Sequence, residues 1–192
     1  MGSHILILDP GWVNLGILLI CFDDSKREFR KFFGNLDLSP IEKGDERNHP
    51  EQFVSRMEAT IYEFLRGHCA LSEMTIMDLD FEYLVIEKQP EKFRQNVHLQ
   101  IALTTWFATR FVVDKTIILN PLLVKGKLGL KCKGNHDAHK NDMVERIKQE
   151  DMLFHGDYNN NIADCVGILN VFCLNHKRVH KRLITYKDIS SP

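Results

Sequence analysis

The stretch Tyr83-Leu84-Val85-Ile86-Glu87-Lys88-Gln89-Pro90 decides how the rest of the chain is read. Its apolar run predicts a strand buried on both faces, and the run ends on a carboxylate just before a turn-forming proline. A charge is costly inside a sheet, so a strand that delivers one at its last residue places it where the sheet meets solvent. Two other acids stand in matching contexts. Asp9 closes the run Ile5-Leu6-Ile7-Leu8, and Asp164 lies within Asn159-Asn160-Asn161-Ile162-Ala163-Asp164-Cys165. Strand-end carboxylates converging with one from a helix make a site for hard divalent cations, which prefer oxygen ligands, so the chain reads as a metal-dependent enzyme.

Working outward, Ile5 to Leu8 followed by Asp9-Pro10-Gly11 predicts a central strand and a turn. Leu15 to Phe22 is a second strand, Asp23 to Lys26 a hairpin turn, and Phe29 to Leu38 a third strand whose Arg30, Lys31 and Asn35 suit an exposed edge. From Pro50 the apolar residues Phe53, Val54, Met57, Ile61, Phe64 and Leu65 take helical spacing, with proline in the first turn and Gly67 beyond the last. Phe81 to Glu87 is the fourth strand, Asn96 to Val113 a second helix and Thr116 to Pro121 a fifth strand. Lys131 to Asn141 reads as a polar loop, and two helices follow over Asp142 to Leu153 and Asn161 to Asn175. The order βββ, α, β, α, β, α, α predicts an α/β fold with a mixed five-stranded sheet covered by helices.

With 192 residues, 44% of them hydrophobic, the chain has the size of one domain spanning 1–192. Residues 1–4 look like a cloning remnant and are given no weight, and 176–192 read as a basic C-terminal tail. Five cysteines without a CxxC pair read as reduced thiols of an intracellular protein. No apolar stretch is long enough for a membrane span, and the N-terminus lacks a signal-peptide layout. A net charge of −1 does not point to nucleic acid. Its distribution does. Lys125, Lys127, Lys131, Lys133 and Lys140 face the single acid Asp137 between Leu122 and Lys140, and His176-Lys177-Arg178-Val179-His180-Lys181-Arg182 forms a second cluster. The balancing acids lie mostly between Asp23 and Glu63, which predicts one basic face. The plainer reading of both clusters is a pair of solvated loops.

The motifs Asp9-Pro10-Gly11-Trp12-Val13-Asn14, Val85-Ile86-Glu87-Lys88-Gln89-Pro90 and Ile162-Ala163-Asp164, in that order, resemble the RuvC-type Holliday junction resolvases of the ribonuclease H-like superfamily. The likeness is greatest to those of poxviruses and related large DNA viruses and runs from about Ile5 to about His176. Asp-x-Gly alone is weak, being shared with sugar kinases and actin-like ATPases; Glu-Lys-Gln-Pro after an apolar strand is more diagnostic. The resemblance implies a homodimeric endonuclease that cuts four-way DNA junctions by paired symmetric nicks, using two Mg²⁺ ions for which Mn²⁺ can substitute. It also implies that Asp9, Glu87 and Asp164 are catalytic metal ligands, and a viral member would act where viral DNA replicates in the infected cell. Two acids three residues apart are usual on the family's last helix, and here the partner position is Asn161. An asparagine oxygen ligates a hard cation without bringing charge, so either the site is weakened, Asp157 takes over, or an aspartate has been replaced. Lys140 is the candidate cation beside the reacting phosphate. Asn14, Gln89, Lys92, Arg94, Lys125, Lys127, Lys131, Lys133 and Lys140 are the candidate DNA contacts, with Asn14 and Gln89 orienting ligands or phosphates near the metals. Asn96 to Val113, apolar on more than one face, is the candidate dimer interface.

Each acid also has a plainer reading. Asp9 suits a turn before Pro-Gly, Glu87 a strand-end ion pair with Lys88 or Lys92, and Asp164 the first turns of a helix. Cys132, His136 and His139 have zinc-ligand types but lack an evident fourth partner. Trp12 can stack on DNA or pack against the sheet. The rival functions are a ribonuclease H-like nuclease acting on RNA:DNA hybrids or other branched DNA and a catalytically impaired junction-binding protein. An actin-like ATPase is disfavoured by the absence of phosphate-cradling glycine loops.

Overall fold

In a computed structural model the chain is described at residues 3–39, 50–71, 75–76, 79–127, 129, 141–142, 144–147 and 160–190. Three antiparallel strands open it: β1 (Ser3–Pro10), β2 (Asn14–Asp23) and β3 (Glu28–Asp37). Helix α1 (Pro50–Leu71) leads to β4 (Asp80–Glu87), which returns beside β1 as a parallel partner. Helix α2 (Arg94–Arg110) then leads to β5 (Val112–Val113) and β6 (Thr116–Leu119), which pair with successive parts of β4. Three helices follow, α3 (Pro121–Lys127), α4 (Asn160–Asn175) and α5 (Lys177–Thr185), and β7 (Lys187–Asp188) closes the sheet against β3.

The strand order β5-β4-β1-β2-β3-β7, with β6 also on β4, is mixed, as the sequence predicts, but counts seven strands instead of five. The two additional strands have two residues each, too short to impose any alternation on the sequence.

Side-chain alternation divides the core into two. Leu6 and Leu8 of β1, Leu15, Ile17 and Leu19 of β2, and Leu84 and Ile86 of β4 pack under α1 and α2. Ile5, Ile7, Leu18, Ile20 and Val85 point the other way, under α4 and α5. Three layers result, with both sheet faces covered, which is why β1 and β4 are continuously apolar instead of alternating.

Several predicted boundaries move. Helix α1 runs through Gly67 to Leu71; Gly67 lies on an open side where an added Cβ would meet nothing, so the glycine costs helix propensity without ending the helix. Helix α2 stops at Arg110 because Phe111 turns extended, and Val112–Val113, read as helical, form β5. Pro121 opens α3 instead of closing a strand. The stretch 176–192, read as a tail, contains α5 and β7, and α5 buries Val179, Arg182 and Leu183. Ser3 and His4, set aside with the first residues, belong to β1, where His4 is buried with Nδ1 3.0 Å from the Asp80 carbonyl. The predicted loop at 131–141 falls outside the described residues except at 141, and of the predicted helix at 142–153 residues 142 and 144–147 are described, all of them helical, with Ile147 buried. Among the described residues no helix is long and apolar enough to cross a membrane, and Cys21, Cys69, Cys165 and Cys173 are free thiols.

Candidate active site

Parity along the strands aims the acids. In β1 the odd residues Ile5 and Ile7 face α4, and Asp9 continues that series; in β4, Val85 faces α4 and Glu87 follows two residues on. The parallel register pairs Leu8 with Ile86, so Asp9 and Glu87 stand one step beyond it at the same edge of the sheet. Between β1 and β2 the chain reverses at Gly11, where a Cβ would lie 2.3 Å from the Asn14 carbonyl oxygen, so only glycine fits the turn that ends the Asp9 strand.

Helix α4 reaches these strand ends because Gly16 lies beneath it. Gly16 pairs with Asp9 across the β1–β2 ladder. A Cβ on Gly16 would sit 2.9 Å from the Asn161 carbonyl oxygen, 3.0 Å from Cys165 Sγ and 3.3 Å from Asp9 Cβ. The helix therefore rests on bare backbone, which brings Asp164 in its second turn toward the two strand-end acids.

Electrostatics tie the three acids together. Burial first, and the Asp164 charge second, raise Glu87 from 4.5 to about 7, against hydrogen bonds from Asp9 and Gln89 and the charge of Lys125. The fully buried Cys165 thiol is pushed well above its ordinary value, chiefly by burial and then by the charges of Asp9, Asp164 and Glu87. Asp9, Glu87 and Asp164 thus lie within electrostatic reach of one another at this edge of the sheet. Asn161 stands at the same helix end, and its Nδ2 donates to Asn35 Oδ1 at 2.7 Å.

The other candidates separate into groups. Gln89 is buried: its backbone N–H donates to Gln100 Oε1 at 2.7 Å, Asn96 Nδ2 donates to its Oε1 at 3.1 Å, and its side chain hydrogen-bonds Glu87. That placement orients a ligand and leaves little surface for DNA. Lys125 of α3 lies close enough to stabilise the Glu87 charge. Lys127, Lys92, Arg94 and Asn14 are exposed, and Lys92 Nζ lies 4.9 Å from the centroid of the Phe93 ring. Trp12 stacks on Phe53 of α1 at 4.3 Å and 11°. Lys131, Lys133, Lys140 and Asp157, with Cys132, His136 and His139, lie outside the described residues. Sequence reading missed Gly16, Asn35, Asn96 and Gln100. Only Gly16 carried a signal, a glycine within an apolar strand, which marks a close approach.

No protein-family model matches the chain, and no curated protein matches it. Solved structures do. Thermus thermophilus RuvC aligns over 96% of this chain and 99% of its own, at 17% identity and a TM-score of 0.55. The chain has a RuvC-like, ribonuclease H-like fold. RuvC of the same organism in complex with a Holliday junction substrate aligns over 92% of this chain and 96% of its own, at 14% identity and a TM-score of 0.53. A fowlpox virus resolvase solved with Holliday junction DNA aligns over 92% and 98%, at 17% identity and a TM-score of 0.43.

The donor set suits a divalent cation: three carboxylates, one of them held near neutrality by burial and a neighbouring charge, are a cluster that a cation between them would relieve. As the side chains stand, no group of three or more His, Cys, Asp or Glu among the described residues is arranged to hold an ion. Asp9, Glu87 and Asp164 are the residues at this edge whose chemistry suits such an ion.

Proposed function

We propose that this chain is a structure-selective endonuclease that resolves four-way DNA junctions by paired symmetric nicks, acting as a homodimer. The observation that carries this reading is the convergence of Asp9, Glu87 and Asp164 at one sheet edge of a RuvC-like fold. Mg²⁺ ions held there would supply an activated water and neutralise charge on the leaving 3′ oxygen. Asp9 and Glu87 would grip from the sheet and Asp164 from the helix, while Gln89 holds the Glu87 carboxylate in place and Lys125 adds positive charge beside it. Exposed Lys92, Arg94 and Lys127 suit phosphates of the branched substrate. Dimerisation is proposed through α2, which keeps Ile101 exposed although Leu99, Leu103, Trp106 and Phe107 are buried.

The experiment is incubation of a synthetic four-way junction, a linear duplex and an RNA:DNA hybrid with the protein and Mg²⁺ or Mn²⁺. Symmetric nicks near the branch point support the proposal, and cutting of the hybrid alone would sink it. A second reading, a catalytically impaired junction-binding protein, is favoured by the neutral Asn161, already engaged with Asn35. It predicts tight junction binding without cleavage by either metal.

A further inference from the structure

Helix α5 is basic on its outer side, at the opposite end of the sheet from the acids. Its inner side buries Val179, Arg182 and Leu183. Arg182 reaches Ser3 Oγ at 2.6 Å, at the very start of β1, whereas Asp9 lies six residues further on, or ~20 Å along the strand. The outer side carries Lys177, Arg178 and Lys181, all exposed and none ion-paired among the described residues. Lys181 neighbours both Lys177, four residues before it, and Arg178, three before it, on the helix surface.

Internal cations pair with several of the acids at this end. Arg182 pairs with Glu82 Oε2 and Asp24 Oδ1, each at 2.9 Å, and Lys31 pairs with Asp188 at 2.6 Å. Within β7 and the turn before β3, Lys187 and Arg27 add further exposed charge. Lys177, Arg178 and Lys181 thus have no ion-pair partner among the described residues, in a chain whose net charge is −1. Adjacent, exposed cations on a rigid helix fit a regularly spaced polyanion.

We propose that the outer side of α5 is a second duplex-DNA surface, which holds the phosphate backbone of a junction arm about six base pairs from the cut. This rests on the nuclease reading, since ~20 Å along B-DNA at ~3.4 Å per pair spans that length. Contact is with phosphates only and carries no sequence preference.

The test is binding of linear duplex DNA of ~20 base pairs by the full chain and by the triple variant K177Q/R178Q/K181Q, titrated from about 50 to 200 mM salt. The variant's slope of log affinity against log salt is expected to fall by about 2.7, roughly 0.9 for each lost phosphate contact, so that the wild-type advantage shrinks ~40-fold across the range. The charge-keeping variant K177R/K181R should bind as the wild type does, and an unchanged melting temperature keeps misfolding out of the comparison. Equal affinity and equal slopes for the wild type and the triple variant would overturn the proposal. So would loss of binding to phosphatidylserine vesicles with DNA binding intact, which would make α5 a membrane surface. Because binding to linear duplex needs neither a junction nor cleavage, it decides the role of α5 even if junction cutting fails.

Discussion

Gly16 supports Asn161: the first residue has no side chain and the second rests its carbonyl oxygen where that side chain would be, 2.9 Å from a built Cβ. The blocking atom is backbone, so Gly16→Ala must lift the start of α4 off the sheet and carry Asp164 with it. A loss on the order of 1–3 kcal/mol is expected from overpacking, together with a larger loss of Mg²⁺-dependent cleavage. Chemical denaturation and junction-cleavage assays on the same variant check both effects.

Glu87 binds its proton more tightly folded than unfolded, about 7 against 4.5. The metal-free protein therefore loses stability as pH rises through that window and bears the full cost above it. Glu87→Gln removes the charge. At pH 8 it should be more stable than the wild type by on the order of 2 kcal/mol, or roughly 4–8 °C, and near pH 4 the difference should vanish. Thermal unfolding in a chelator at the two pH values measures it, and nuclease activity should be lost at both.

Gln89 is a positioning residue for Glu87. Gln89→Leu keeps most of the volume but leaves Asn96 Nδ2 and the Glu87 carboxyl without their partner, at a cost of about 1–3 kcal/mol. Cleavage should fall while junction affinity, measured in Ca²⁺, changes little. Gln89→Glu should restore little, since it adds a further negative charge to the cluster.

Asn161→Asp adds a second carboxylate to the first turns of α4. It cannot donate to Asn35 Oδ1 as Asn161 does, so the Asn35 amide must turn over to present its nitrogen. Tighter Mn²⁺ binding by calorimetry, with an increase in cleavage, is the expected outcome. No gain in either would assign Asn161 to the contact with Asn35 and remove it from the metal site.

Arg182 is 5% exposed and holds Glu82, Asp24 and Ser3, with its guanidinium 3.8 Å from the centre of the Phe22 ring. Arg182→Ala strands the buried side of these pairs and should cost about 3–5 kcal/mol. Arg182→Met, which fills the space, should cost less if packing on Phe22 matters more than charge. Urea unfolding of the two variants separates these contributions.

The five main strands, α1, α2 and α4 were readable because each carries a run or a helical period long enough to leave a signal. Asp9 and Glu87 were readable because an apolar strand makes a terminal charge conspicuous. The burial of Gln89 was not readable because it comes from Gln100 and Asn96, eleven and seven residues away on another element. Helix α5 was mistaken for a tail because five of its nine residues are basic or histidine, and its three inward residues include an arginine whose partners are a hundred or more positions distant. Long-range pairing of this kind leaves no local periodicity.

The two-sided core divides the acids between mountings of different kinds. Asp9 and Glu87 project from adjacent strands clamped by both cores, whereas Asp164 is carried by a helix seated in one core only. On the proposed metal-dependent reading, two of the three carboxylates would be fixed by the sheet and the third by how α4 beds down on its glycine seat, so the spacing for a cation would be set by that single helix.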